Sequence, residues 1–145
     1  MFEVQGISKI HRSPGEVFEF VADLHNFEKW RSNLVSSTIV TKGPTDVGSQ
    51  CSEVIQMGPK QEAIFCEVTA FTPGSVMSFE SDSSALTYFG NIVVEPCEEG
   101  AQFTITGRIV PKGFFNILQP FLKMQLSKGV KQEAASVKRC MEIEQ

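Results

Sequence analysis

The segment from Ser13 to Asp23, Ser-Pro-Gly-Glu-Val-Phe-Glu-Phe-Val-Ala-Asp, constrains the fold most, because it specifies where a helix begins. Ser13 can cap the first turn, Pro14 occupies the first helical position where its missing N–H costs nothing, and Glu16 completes a capping box. The apolar residues of the segment recur at three- and four-residue steps, as Val17, Phe20, Val21 and Leu24. Before it, the alternation from Phe2 to Ile10 predicts a strand. The chain therefore opens with a strand, a short capped helix and a second short helical piece.

The middle of the chain predicts an antiparallel meander, because apolar and polar residues alternate between breaks rich in Gly, Pro, Asp and Ser. The predicted strands are about Leu34–Lys42, Ser49–Met57, Glu62–Phe71, Val76–Ser81, Leu86–Glu95 and Gln102–Pro111. The apolar rows are Ile64, Cys66, Val68 and Ala70, then Met77 and Phe79, then Leu86, Tyr88, Ile92 and Val94, then Phe103, Ile105, Gly107 and Ile109. One face of the sheet is therefore predicted to be buried and the other wet.

A long helix is predicted from about Gly113 to Glu144, with Pro120 either kinking it or marking its true first turn. Its apolar residues are Leu118, Phe121, Leu122, Leu126, Val130, Ala134, Val137 and Met141. From Pro120 onward the helix would extend ~37 Å, enough to cover a sheet. The prediction is an α+β fold, with a curved antiparallel sheet of about seven strands in the order β-α-α-β6-α around a long C-terminal helix.

The run from Pro14 to Trp30, P-x-x-V-F-x-x-V-x-D-x-x-x-x-x-x-W, resembles the opening of the SRPBCC (START-related) superfamily, in its polyketide cyclase/dehydrase and lipid-transport branch. The resemblance continues through Val47-Gly48, the strand Val68–Pro73, the turn Glu98–Gly100 and the C-terminal helix, and covers essentially the whole chain. It implies the helix-grip fold. It also implies a cavity between sheet and helix that holds apolar ligands such as lipids, sterols, polyketides or quinones.

Composition predicts a single cytoplasmic domain over residues 1–145. No apolar run approaches the ~20 residues that cross a bilayer, and no secretion signal opens the chain. The net charge of −4 is uneven, because residues 112–145 carry 6 Lys and Arg against 3 Asp and Glu. A basic stripe with interleaved aromatics is lacking, so no nucleic-acid partner is predicted. The sequence does not indicate the oligomeric state.

The four cysteines, Cys51, Cys66, Cys97 and Cys140, lack the spacing of a zinc site, and neither a metal nor a cofactor is predicted. A hairpin that turns at Gly58-Pro59 places Cys51 opposite Cys66 on neighbouring strands. Two alternatives follow, a cross-strand disulfide or two buried thiols, and a reducing cytosol favours the thiols.

The predicted ligand site lies between the buried face of the sheet and the long helix, where small residues face large ones. Its predicted lining is Cys66, Val68, Met77, Phe79, Tyr88, Gly90, Phe103, Ile105, Leu118, Phe121, Leu122 and Gln125. The alternative is a packed core filled by Phe121, Leu122 and Met124. Phe114 and Phe115, which follow a Pro-Lys-Gly hinge, are predicted either to gate one end of the cavity or to anchor the helix to the sheet.

Tyr88, the only tyrosine, is the one candidate for chemistry, as a hydroxyl that orients a ligand carbonyl or as a structural group. Asp23 is interpreted as a cap of the next helix rather than as an acid–base partner of His25. Arg31 could meet an anionic head group. The chain lacks a GxSxG elbow, an HExxH run, a P-loop and a dinucleotide fingerprint.

Three functions follow in order of preference. The first is binding or carriage of a small hydrophobic molecule. The second is a cyclase/dehydrase-type enzyme in which Tyr88 polarises a carbonyl, and the third is a protein-interaction module. The first two differ in their pockets, because an enzyme needs at least two convergent polar groups with shifted pKa values, whereas a carrier pocket is nearly all apolar.

Overall fold

The computed structural model describes residues 1–57 and 59–143 as a seven-stranded antiparallel sheet with three helices. The strands are β1 Phe2–Ile10, β2 Leu34–Ile39, β3 Gln50–Met57, β4 Lys60–Thr72, β5 Val76–Asp82, β6 Leu86–Cys97 and β7 Gly100–Pro111. Their order in the sheet is β1-β7-β6-β5-β4-β3-β2, so that the first two strands of the chain form its opposite edges. The predicted turn residue Gly58 and the predicted helix end at Glu144 lie outside the described residues.

The helices are α1 Pro14–Ala22, α2 Phe27–Trp30 and α3 Gln119–Ile143, with 3₁₀ turns at Leu24–Asn26 and Gly113–Asn116. The predicted order β-α-α-β6-α and the curved sheet with a long C-terminal helix are confirmed. Pro120 is the second residue of α3, so it marks the first turn and does not kink the helix.

The start of α1 has the capping box that the sequence predicts. The Glu16 amide donates to the Ser13 hydroxyl at 3.3 Å, and the Ser13 amide donates to the Glu16 carboxylate at 3.3 Å. Asp23 caps the following 3₁₀ turn, since its carboxylate accepts from the His25 amide at 3.0 Å. These local bonds fix the direction in which the chain leaves the helical pair and enters β2.

The period-two assignment of faces holds along most of the sheet but is wrong at the end of β4. A bulge between Val68 and Ala70 shifts the register, so Ala70 is exposed rather than buried. Phe71 turns inward in its place, with its ring 5.6 Å from that of Phe18 in α1. An extra residue in one strand reverses the alternation that follows it, and no residue type in this stretch signals the bulge.

α3 lies against β1, β7 and α2 rather than over the middle of the sheet. Its backbone approaches β1 so closely that a Cβ on Gly6 would lie 2.3 Å from the carbonyl oxygen of Val130. Next to this contact, the Ser8 hydroxyl donates to the carbonyl of Ala134 at 2.8 Å. The buried residues of α3 begin at Val130 and continue with Glu133, Ala134, Val137 and Met141. The first three turns of the helix are therefore less tightly covered by the sheet.

The centre of the core is aromatic. The Trp30 ring makes edge contacts with Phe27 at 5.5 Å and with Phe103 of β7 at 5.8 Å, and Phe27 is 5.9 Å from Phe79 of β5. Trp30 thus anchors the helical pair to the sheet. Within the described residues, no helix is long and apolar enough to cross a membrane.

Candidate functional site

Three charged side chains meet inside the fold, between the sheet and the helices. Arg31 follows α2, Glu53 lies in β3 and Glu133 lies in α3, and their side chains are only 7%, 0% and 6% exposed. Arg31 Nη1 donates to Glu53 Oε2 at 3.4 Å, and Arg31 Nε lies 3.9 Å from Glu133 Oε2. Buried charges persist only when they are paired, so this triad is a specific feature of the core.

The local structure explains why each of these residues points inward. Glu53 shares the inner row of β3 with Cys51 and Ile55, because side chains two apart face the same side of a strand. Glu133 lies on the buried face of α3, three residues after Val130. Both glutamates were missed by the sequence reasoning. The signal that could have identified them is the position of each acidic residue. Both glutamates lie where the spacing of the neighbouring apolar residues predicts a buried hydrophobic side chain.

The Arg31 guanidinium is held between two aromatic rings as well as between two carboxylates. Its central carbon is 5.2 Å from the ring centroid of Phe27 and 5.2 Å from that of Phe79. Burial disfavours the charged guanidinium, but Glu53 and Glu133 more than offset this and hold the pKa of Arg31 above its usual value. A permanent cation is therefore fixed at the inner surface of the sheet.

Glu133 is the carboxylate whose titration the environment changes most clearly. Burial raises its pKa above the usual glutamate value, while the Arg31 charge and hydrogen bonds from Ser32 oppose the rise. Both the amide and the hydroxyl of Ser32 donate to Glu133 Oε2 at 2.9 Å. The other oxygen, Glu133 Oε1, is buried and has no hydrogen-bond partner among the described residues, as is also true of Glu53 Oε1. Leaving such an acceptor unpaired costs about 1–3 kcal/mol.

Tyr88 brings a hydroxyl to the same region from β6. Its ring stacks on Phe79 at 6.0 Å, and its hydroxyl lies over Gly107, where a Cβ would come within 2.7 Å of the oxygen. Burial raises the pKa of Tyr88, and so does the charge of Glu133, whereas Arg31 lowers it. The hydroxyl forms no hydrogen bond with the described part of the chain. Gly107 thus makes room for a phenol whose hydroxyl donates to none of the described residues.

Cys51 and Cys66 border the triad and face each other across β3 and β4, as the hairpin predicted. Both thiols are free, and the Cys51 thiol donates to Glu53 Oε2 at 3.4 Å. With Glu53 they place three ligand-type atoms within 4.8 Å of one another. The hydrogen bond that the Cys66 thiol donates to Cys51, together with burial, raises the pKa of Cys66. A metal needs thiolates, and Arg31 already neutralises Glu53, so this cluster does not favour a cation.

Comparison with known proteins identifies the family of the chain. The family model described as polyketide cyclase/dehydrase and lipid transport matches residues 1–142. The chain belongs to this family. Comparison with curated proteins finds no match.

Three solved structures illustrate how widely this family's fold is shared. A START superfamily protein from Mycobacterium smegmatis is 9% identical over 99% of each chain, with a TM-score of 0.83. The Zhui aromatase/cyclase from a Streptomyces species is 11% identical over 97% of this chain and 93% of its own, with a TM-score of 0.82. A protein from Thermus thermophilus is 16% identical over 99% of each chain, with a TM-score of 0.83. At these identities the likeness concerns the fold, which is the helix grip.

The structure brings most of the predicted lining residues of this family member together. Those on the strands are buried on the inner face of the sheet beside partly buried Tyr88, namely Cys66, Val68, Met77, Phe79, Gly90, Phe103 and Ile105. On α3 and just before it, Leu122 and Leu118 are half-buried, whereas Phe121 is 51% exposed and Gln125 is exposed. Phe114 is exposed and Phe115 half-buried. That these residues line a ligand site stays a prediction.

A separate cleft of about 550 Å³ lies at the surface between α1 and the loop that joins β2 to β3. Its lining includes Phe18, Leu24, Phe71 and His25, and none of the predicted lining residues belongs to it. His25 Nδ1 lies 2.9 Å from the Asp23 carboxylate at its rim, but both side chains are largely exposed. Because Asp23 already caps the 3₁₀ turn, this pair is explained by local structure.

Proposed function

We propose that this protein binds a small hydrophobic molecule that carries a hydroxyl or carbonyl oxygen, with the oxygen held by Arg31, Glu133 and Tyr88. One observation carries the proposal. The inner face of the sheet is mostly apolar, and the charges buried on it are those of this cluster. In the described chain, Glu133 Oε1 is buried without a hydrogen-bond partner, and the Tyr88 hydroxyl beside it forms no hydrogen bond.

The three side chains offer complementary hydrogen-bonding groups. The Tyr88 hydroxyl can donate to a carbonyl oxygen, and Glu133 Oε1 can accept from a ligand hydroxyl. The Arg31 guanidinium has five donor hydrogens, and among the described residues its one hydrogen bond goes to Glu53. A ligand oxygen placed between these groups therefore meets both donors and an acceptor.

The apolar part of the ligand is expected to lie between the sheet and the first turns of α3. Leu122 and Leu126 are half-buried there, whereas the fully buried residues of the helix begin at Val130. The partial exposure of these two side chains supports access for a hydrophobic body at this end. The family description, which combines lipid transport with polyketide chemistry, agrees with a ligand of this class.

The proposal is tested by displacing an anilinonaphthalene sulfonate dye with naphthol and with naphthalene, which differ by one hydroxyl. We expect naphthol to bind about tenfold more tightly, because a hydrogen bond to a buried group is worth roughly 1–2 kcal/mol. Tyr88→Phe and Glu133→Gln should each reduce this preference, whereas Thr106→Val, on the outer face of β7, should leave it unchanged. Equal affinities for the two compounds, or a preference that survives in both variants, contradict the proposal.

A second candidate function, of the cyclase/dehydrase type, is favoured by the raised pKa of Glu133 beside Tyr88. Two convergent polar groups with shifted pKa values fit an enzyme better than a purely apolar carrier. Glu133 as carboxylate would remove a proton from the carbon next to a ligand carbonyl, and Tyr88 would donate to the enolate oxygen. The enolate then either attacks a second carbonyl of the same chain, whose oxygen takes the proton from Glu133, or expels a β-hydroxyl, which takes that proton and leaves as water.

Hydrogen–deuterium exchange at the methyl group of acetylnaphthalene tests this chemistry without a native substrate. An acting general base should speed the exchange by roughly 10²–10⁴-fold. Glu133→Gln should abolish the acceleration while the compound still binds. Binding without any accelerated exchange would exclude the second function and leave the first intact.

A further inference from the structure

Four large apolar side chains are exposed at the start of α3 and in the turn before it. Phe114 is 68% exposed, Ile117 76%, Phe121 51% and Met124 63%. We call these four residues the apolar stripe. A concentration of exposed apolar groups within eleven residues marks an interaction surface more often than scattered ones do.

The rings of this stripe are not docked on the core. Phe114 makes its one aromatic contact within the described chain with its neighbour Phe115, at 6.1 Å and edge-on. The core aromatics contact one another instead, through Phe27, Trp30, Phe79 and Phe103. Removing the stripe from water would therefore require a surface outside this chain.

Along the chain, the charged residues around the stripe are all basic. The sequence contains no Asp or Glu between Ala101 and Gln132, although the whole chain has a net charge of −4. Lys123, Lys128 and Lys131 lie in this interval and form no ion pair with the described residues, so we call them the free lysines. Lys112 differs, because its Nζ is 2.7 Å from the Asp82 carboxylate.

Two of the free lysines continue the stripe along the same side of α3. Phe121, Met124, Lys128 and Lys131 follow one another at steps of three and four residues, which places them on one helix face. Met124 and both lysines line a shallow depression together with Ser127, Gln132 and Ala135. The face thus changes from apolar to basic within about three turns.

We propose that this face of α3 docks on the surface of a membrane that contains anionic lipids. Aromatic and aliphatic side chains enter the boundary between headgroups and acyl chains, and lysines beside them meet anionic headgroups. A second copy of the chain fits the surface less well, because this face has no Asp or Glu that could pair with the free lysines of a two-fold partner. The charge pattern therefore selects the membrane surface.

The docking site is next to the region in which the proposed function places the apolar ligand. The inference therefore rests on the proposed function and adds the surface from which the ligand would come. Leu122 and Leu126 of the same helix segment are half-buried toward the sheet, while Phe121 and Met124 point away from it. A protein that holds α3 against a bilayer brings these half-buried side chains close to the source of hydrophobic molecules.

Co-sedimentation with phosphatidylcholine vesicles, with and without phosphatidylserine, tests the proposal. We expect binding only when phosphatidylserine is present. Lys128→Gln with Lys131→Gln should lower the partition coefficient about thirtyfold, the factor that two lysines contribute near an anionic surface. Ile117→Ser with Phe121→Ser should abolish vesicle binding, because salt screens the attraction between the lysines and the anionic headgroups and leaves it weak without the apolar contacts. The matched controls are Lys42→Gln with Lys60→Gln, and Phe65→Ser on the outer face of the sheet, and they should bind like the unchanged protein.

Several results would overturn the proposal. One is equal binding to both kinds of vesicle, and another is unchanged binding by either pair of variants. A third is a dimer in gel filtration that the Ile117→Ser, Phe121→Ser pair converts to a monomer, with no vesicle binding. Complete competition by free phosphate at constant ionic strength would assign the lysines to a soluble anion instead. Naphthol affinity measured in parallel separates the two ideas, because loss of vesicle binding with intact naphthol binding rejects only the docking.

Discussion

The guanidinium of Arg31 lies 3.4 Å from the carboxylate of Glu53 at a point where both side chains are buried. The two residues come from opposite sides of the core, one following α2 and the other from β3. A hydrophobic pair of similar size would hold these elements together without any cost of removing charges from water. The charges, with a second carboxylate on Glu133, therefore carry a desolvation cost that the proposed ligand site would explain.

Replacing Arg31 with methionine should destabilise the protein by about 3–5 kcal/mol at neutral pH, because it leaves the buried carboxylates without their cation. Urea unfolding measures this change. Combining Arg31→Met with Glu53→Gln should recover part of the loss, since fewer uncompensated charges remain. Arg108→Met is the control, because Arg108 covers Phe89 on the outer face at 4.6 Å and contributes less than about 1 kcal/mol. Similar losses for Arg31→Met and Arg108→Met would argue against the buried triad.

Stability should depend on pH through Glu133 with a defined sign. Its pKa is raised in the folded protein by burial, so the folded state holds the proton more tightly than the unfolded chain does. Its contribution is fully present below the unfolded value of about 4.3 and is lost as pH rises through the higher folded pKa. Glu133→Gln should therefore flatten the fall in unfolding free energy above about pH 4.3, measured by urea titration at several pH values.

Glu142 supplies a control of opposite sign. The Lys138 ammonium, 2.8 Å away, and the amide of His11 lower the pKa of Glu142 in the folded protein. Its stabilising contribution is present above the unfolded glutamate pKa and is lost as pH falls. Glu142→Gln should therefore change the unfolding free energy at acid pH and leave the fall above about pH 4.3 unchanged. A Glu133→Gln profile that parallels the unchanged protein would show that burial does not perturb Glu133.

The close contact between Gly6 and Val130 gives a prediction about packing. A Cβ at position 6 would lie 2.3 Å from the Val130 carbonyl oxygen, so α3 must move away from β1 to accept it. Gly6→Ala should cost about 1–3 kcal/mol in urea unfolding, as overpacking generally does. Gly15→Ala in α1 is the matched control, because nothing lies within 4 Å of its Cβ. That variant should be neutral or slightly stabilising, and equal losses at both sites would contradict the helix placement.

The sequence predicted most of the fold because its signals are local. Ser13, Pro14 and Glu16 specify a helix start through neighbouring backbone groups, and the same holds for Asp23 at the next turn. Alternation assigned the inner rows correctly until the bulge after Val68. A bulge depends on how two strands pair, and the residues of one strand alone do not encode it.

The candidate site was harder to predict because it is formed by contacts between distant residues. Tyr88 was singled out as an inward hydroxyl, but Glu53 and Glu133 were overlooked because acidic residues usually face solvent. Their partner Arg31 is 22 residues from Glu53 and 102 residues from Glu133 along the chain. Helix and strand periodicity relates only residues close in sequence, so it does not predict these contacts. The three- and four-residue spacing of the apolar residues in the C-terminal helix also suggested that Phe121 faces the sheet. It is 51% exposed because α3 lies toward β1 and leaves that face uncovered.

Phe114 and Phe115 were predicted either to gate one end of the cavity or to anchor the helix to the sheet, and the exposure of Phe114 argues against an anchor at that ring. Because its ring is 68% exposed, Phe114→Ala should change the unfolding free energy by no more than about 0.5 kcal/mol. Phe27→Ala, at a fully buried ring, should cost about 3–5 kcal/mol and serves as the reference for an anchor. Stopped-flow mixing with the anilinonaphthalene dye should show altered association and dissociation rates for Phe114→Ala with Phe115→Ala. Unchanged rates together with a loss as large as that of Phe27→Ala would assign the two rings to anchoring, because a gate affects passage of the ligand while an anchor affects the stability of the fold.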